Sequence, residues 1–152
     1  MRALAFLLLA GLITAGAPAA ASGYGTKAEA VAMVKRVQEE FKKDGVQATF
    51  SAVSDKSVKA YHDRDLYPFI YDLTGKCVAH GARPALIGKN LIDLKDQDGK
   101  YLIREMVAIA EGSGHGWVDY KWPNPLNNKI EDKSSYVERM GDYFVGVGIY
   151  KQ

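Results

Sequence analysis

The chain has 152 residues, with 20 Lys+Arg against 18 Asp+Glu and a single cysteine. A near-neutral balance without a Lys/Arg cluster excludes a phosphate-backbone partner such as nucleic acid, which needs several cations acting together. One cysteine cannot make an intrachain disulfide, so the fold must rest on packing alone.

The first segment, MRALAFLLLAGLITAGAPAAAS, places Arg2 before an apolar run and ends it in small residues. This is the pattern of a secretory signal peptide, shorter than the run of about 20 residues that spans a bilayer. Cleavage after Ala21 is expected, giving a signal peptide at 1–21 and one domain at 22–152, periplasmic or secreted. Retention of the segment as an anchor is the alternative.

Thr26-Lys27-Ala28-Glu29 fits a capping box, in which side chains at both ends of the motif satisfy helix-start donors. Ala30, Val31, Val34, Val37 and Phe41 follow at helical spacing, which predicts an amphipathic helix stopped at Asp44-Gly45. A short helical piece is expected over 47–53. From Leu66 the period becomes that of strands: LYPFIYDLTGKCVAH holds two β-rich runs around a Gly-containing turn at 72–76, a hairpin. After a long connection, Leu102, Ile103, Met106, Val107 and Ala110 predict a second helix over 101–111. Strands follow at about 116–122, 133–140 and 143–150, with turns at 123–132 and 141–142. Five strands, a long N-terminal helix and a crossover helix predict an α+β domain with one antiparallel sheet.

Most reactive motifs fail on inspection. Asp96, Asp98, Gly99 and Glu105 match part of a calcium loop, but its first ligand position holds Leu94, leaving the acids to serve a helix start. GARPALIGKN has the wrong glycine spacing for a phosphate loop, and CVAH lacks the second cysteine of a haem-attachment motif. His62, His80 and His115 show no metal-ligand spacing, and the odd offset from Cys77 to His80 predicts opposite faces of one strand. Cys77 reads as a small buried hydrophobe. Ser113 stands in no nucleophile elbow. The reading is therefore of no cofactor, no metal and no enzyme, with His80 beside a Tyr or carboxylate as the best foothold for chemistry.

Two stretches point to a binding cleft instead. In GWVDYKWPNP, period two puts Trp117, Asp119 and Lys121 on one face and Val118, Tyr120 and Trp122 on the other. In FVGVGIY, Gly146 and Gly148 share a face with Phe144 and Tyr150, and glycine within a strand marks a close approach by a ligand or by another element. Arg104, Lys121 and Lys133 are the candidate cations for a carboxylate, since such a pair makes a charge-assisted hydrogen bond worth about 1.5–3 kcal/mol. Which face of the tryptophan strand meets a ligand stays open.

The ordered set of the D-x-x-G hairpin with its A-H, then G-K-N-L, D-x-D-G-K, G-W-V-x-Y-x-W-P-N-P and the closing G-x-G-x-Y strand resembles the single Cache domain family, extracytoplasmic sensing modules of chemotaxis receptors and sensor kinases. The resemblance runs from about Val31 to Lys151. It implies a PAS-like fold, with the N-terminal helix on one side of a five-stranded sheet and a ligand pocket on the other beneath loops and the crossover helix. It further implies a non-catalytic binder of a small organic ligand, a carboxylate being favoured, linked to signal transduction through a partner. Matching polar and aromatic positions are Tyr71, His80, Arg104, Trp117, Tyr120, Trp122, Lys133 and Tyr136. A membrane receptor or a second copy of the chain are the expected partners; a periplasmic interaction or dimerisation module without a small ligand is the alternative function.

Overall fold

The computed structural model describes residues 23–151. The segment 1–21, expected from sequence to be a signal peptide, lies outside them. In chain order the elements are α1 (Lys27–Ser54), β1 (Pro68–Asp72), β2 (Cys77–His80), α2 (Leu102–Glu111), β3 (His115–Pro123), β4 (Ile130–Met140) and β5 (Tyr143–Tyr150), with short 3-10 turns at Lys59–Tyr61 and Pro84–Leu86. The strands form one antiparallel sheet in the order β2-β1-β5-β4-β3. The α+β architecture expected from periodicity is present.

The capping box forms as the sequence predicts: Glu29 N–H donates to Thr26 Oγ1 at 3.2 Å, and Thr26 N–H donates to Glu29 Oε2 at 2.7 Å. Gly45 breaks the helical path with φ 83° and ψ 179°, so the two expected helical pieces run on as one bent element. A side chain would be strained at those angles, which glycine adopts freely.

The sheet divides the interior into two layers. On one face α1 contributes Ala30, Met33, Val34 and Val37, which pack with Ile70, Ala79, Val145 and Val147. On the other, Leu102, Ile103, Met106 and Ala110 of α2 pack with Phe69, Tyr71, Cys77, Val118, Tyr120, Val137 and Phe144. Alternation along β1 sends Phe69 and Tyr71 to the α2 side and Ile70 to the α1 side, as period two requires.

Two features depart from simple periodicity. Strand β4 starts at Ile130, three residues before the expected 133, because Ile130, Glu131 and Asp132 pair with Pro123, Trp122 and Lys121. The hairpin carries a bulge: Ile70 pairs with Ala79 but Tyr71 with Cys77, leaving Val78 as the extra residue. An inserted residue reverses the alternation beyond it, so Cys77 and His80 lie on the same α2-facing side despite their odd offset. The expectation of opposite faces assumed an unbroken ladder and is corrected here.

Candidate functional site

Between the sheet and α2 lies a small cavity lined by Phe69, Tyr71, His80, Leu102, Ile103, Met106, Tyr120, Trp122 and Lys133. Its free volume is about 10 Å³, close to the room one water molecule needs. Register explains the assembly. Phe69 pairs with both His80 and Gly146, while Lys133 pairs with both Tyr120 and Tyr150, so two cross-strand rows on the α2 side bring these groups together.

The glycines of β5 make room for the walls. A Cβ at Gly146 would fall on the Phe69 ring, and one at Gly148 would fall on Ser135 Oγ and Lys133 Cε. The close approach signalled by FVGVGIY is thus made by side chains of the neighbouring strands, which lie flat across β5.

Lys133 is the centre of the polar arrangement. It is 1% exposed. Its Nζ donates to Tyr67 Oη at 2.7 Å, and lies 4.0 Å from the Tyr67 ring centroid and 4.9 Å from that of Tyr150. Among the described residues no carboxylate reaches it at ion-pair distance. The buried Asp65 favours the ammonium through its field, but its oxygens accept the backbone N–H groups of Gly25 (2.6 Å) and Tyr150 (3.3 Å). Desolvation is the largest influence and pulls Lys133 down to about 7, assisted by the positive charge of Arg83.

His80 is fixed in one tautomer. Its Nδ1 accepts the N–H groups of Ala82 at 3.2 Å and Arg83 at 3.0 Å, so the ring proton sits on Nε2 as a donor. Burial, then the positive charges of Lys133 and Arg83, lower His80 to about 3. The ring therefore stays neutral at ordinary pH. Tyr120 Oη pairs with Ser135 Oγ at 2.8 Å, and Tyr67 Oη contacts Tyr150 Oη at 3.3 Å, which donates to Pro123 O at 2.7 Å. Burial raises Tyr67 to about 12, and Tyr71 and Tyr120 are also raised, so all three remain phenols. One ammonium, one N–H donor and several hydroxyls with no negative charge among them make a place suited to an anion.

Five of the eight residues named from sequence, Tyr71, His80, Tyr120, Trp122 and Lys133, meet at this cavity. Three do not. Trp117 and Tyr136 are on the α1 side, their rings 5.5 Å apart, with Lys27 Nζ 4.9 Å from the Trp117 ring and Tyr136 Oη donating to Glu138 at 2.9 Å. Strand parity sends them there. Arg104 points to solvent from α2, where it pairs with Asp93 and lies over the Tyr101 ring. Phe69 and the α2 residues Leu102, Ile103 and Met106 read in sequence as ordinary core. Tyr67 precedes β1 but keeps the parity of Phe69 and Tyr71 and packs on the same α2 side, so the β-rich run from Leu66 was the signal that could have found it.

The acids of the calcium-like segment serve turns: Asp96 Oδ1 accepts Asp98 N–H and Lys100 N–H, both at 2.9 Å. Among the described residues no group of three or more His, Cys, Asp or Glu is placed to hold a metal. Cys77 is buried, and burial raises its thiol to about 11.

Known proteins resemble this chain in sequence and fold. A sensor histidine kinase, MctS of Rhizobium johnstonii, is 36% identical over 91 residues, covering 59% of this chain and 20% of the kinase. The methyl-accepting chemotaxis protein McpP of Pseudomonas putida is 35% identical over 91 residues, 59% of this chain and 17% of the receptor. The chain thus spans about a fifth of the length of these relatives. Among solved structures, a methyl-accepting chemotaxis protein of Vibrio parahaemolyticus superposes with a TM-score of 0.70 at 30% identity, over 82% of this chain and 87% of that one. A Cache chemosensory domain described for its carboxylic acid recognition gives 0.64 at 26% identity, over 80% and 85%. The Cache domain family matches residues 27–152, and with the two-layered sheet and its α2-side cavity this places the chain in the Cache domain family, the sensor domains of chemotaxis receptors and sensor kinases.

Proposed function

We propose that this protein is an extracytoplasmic sensor module that binds a small monocarboxylate between the sheet and α2 and does no chemistry on it. The observation that carries this reading is Lys133, a buried ammonium with no carboxylate beside it among the described residues. A buried charge without a partner is costly, and a ligand carboxylate would supply the missing one. His80 Nε2–H is the proposed second donor, Tyr71 and Tyr120 supply hydroxyls, and Phe69, Trp122 and Met106 enclose the carbon chain. With free room for about one water, the cavity would admit an acid of two or three carbons only by outward rotation of the half-buried Trp122. The carboxylic acid recognition described for a structural relative supports the same ligand class. The signal peptide at 1–21 and a domain at 22–152 that works outside the cytoplasm belong to this proposal, as does a receptor or a second copy of the chain as the partner that passes the signal on.

The test is a thermal-shift screen of short monocarboxylates against amines of equal size, since a ligand selective for the folded state raises its melting temperature by mass action. The acids are expected to stabilise and the amines to have no effect. Stabilisation by amines alone would overturn the reading.

A further inference from the structure

Two surface depressions lie near the cavity where the α1–β1 connection, the β2–α2 connection and the β3–β4 turn meet, with volumes of about 210 and 300 Å³. They share Lys56, Ala82 and Pro125. Side-chain contacts link each of them to a residue of the cavity wall. Tyr67 lines the first depression while its hydroxyl holds Lys133 Nζ. Arg83 and Pro123 line the second, and the Arg83 guanidinium lies over the ring of Trp122, 5.9 Å from its centroid, while that ring lines the cavity.

Arg83 and Lys56 are exposed and make no ion pair among the described residues. The depression beyond Tyr120 and Lys133, at the edge of the sheet, is different. Tyr120 and Lys133 line it as they line the cavity; it also holds Asp96, Asp98, Asp119 and Asp132, and its surface cations are engaged: Lys100 with Glu105 (3.0 Å), Lys121 with Asp132 (2.9 Å) and Lys151 with Asp119 (2.7 Å). An approaching anion therefore meets net repulsion or neutrality on that side and two free cations on the other. The backbone of Arg83 is itself tied to the cavity, because its N–H donates to His80 Nδ1 at 3.0 Å.

We propose that Arg83 and Lys56 form an outer anion-capture site, and that a carboxylate enters the cavity between Arg83 and Trp122, handed from the guanidinium to Lys133. This rests on the carboxylate reading of the inner cavity. Loosely held surface cations of this kind act mainly on the association rate, and their effect fades as salt screens it.

The experiment is stopped-flow tryptophan fluorescence on the full chain with propionate as the probe, comparing the native protein with Arg83→Gln and Lys56→Gln, and with Lys42→Gln on α1 as the control for loss of one charge elsewhere. Expected at low ionic strength is an association rate about tenfold slower in Arg83→Gln, a smaller slowing in Lys56→Gln, a flattened salt dependence in both, and native rates in Lys42→Gln. Association rates in Arg83→Gln that match Lys42→Gln overturn the capture site and leave the inner cavity standing. Failure of propionate and acetate to bind the native protein overturns both.

Discussion

An ammonium taken out of water seeks either a counter-charge or deprotonation, and Lys133 is left with Tyr67 Oη and aromatic faces. Its pKa is lowered from 10.5 to about 7. Between those values the unfolded chain binds a proton that the folded chain does not, so this group makes the unliganded protein more stable as pH rises from about 7 to 10.5 and least stable below 7. A bound carboxylate favours the ammonium, so binding above pH 7 must take up a proton. Propionate affinity is expected to be flat below about pH 7 and to fall roughly tenfold per unit above it; calorimetric titrations from pH 6 to 9 would show this, and an affinity independent of pH would show that Lys133 takes no part. Gly148 belongs to the same arrangement. Gly148→Ala drives a methyl into Lys133 and Ser135, and is expected to cost about 1–3 kcal/mol by overpacking and to weaken acid binding, read by denaturant melts alongside the titration. At this scale the sequence offered Arg104, Lys121 and Lys133 as equal candidates. Burial separates them, and burial is decided by strand pairing and by where α2 lies.

Elements were legible where one period governs them. The capping box, the apolar stripe of α1, the α2 pattern and the alternation in β3 and β5 each state their own geometry, and Tyr120 and Trp122 could be grouped against Trp117 before any partner was known. Parity alone could not say which group faced the cavity, because that depends on which helix covers which side. The bulge at Val78 was illegible for a different reason: an extra residue in CVAH changes no composition, only the pairing opposite Ile70. It shapes the cavity, since it turns His80 towards Lys133's side of the sheet. Gly45 is the opposite case, a helix stop visible in sequence that the fold uses as a bend. With φ 83°, ψ 179° and open space around it, Gly45→Ala is expected to lose about 1–3 kcal/mol through backbone strain alone. Chemical denaturation would measure this, and a variant as stable as the native protein would show that α1 can straighten at no cost.

Across the whole molecule the sheet separates two layers with different work: α1, Trp117 and Tyr136 on one face, and α2 with the polar cavity on the other. The five-stranded α+β plan followed from counting periods, whereas the strand order β2-β1-β5-β4-β3, which sets β5 with its two glycines in the centre, is a tertiary outcome. That central placement is what lets Phe69 from one side and Lys133 from the other lie over β5 and close the cavity between them. The central claim, that Lys133 is kept buried for a ligand's carboxylate, is tested most directly by calorimetric titration of propionate into the full chain and its Lys133→Met variant, with a thermal melt of each. The prediction is that the native protein binds propionate and is stabilised by it, while Lys133→Met binds none and melts, unliganded, at the same or a higher temperature, because an unpaired buried charge has been removed. Propionate binding to Lys133→Met with native affinity would contradict it.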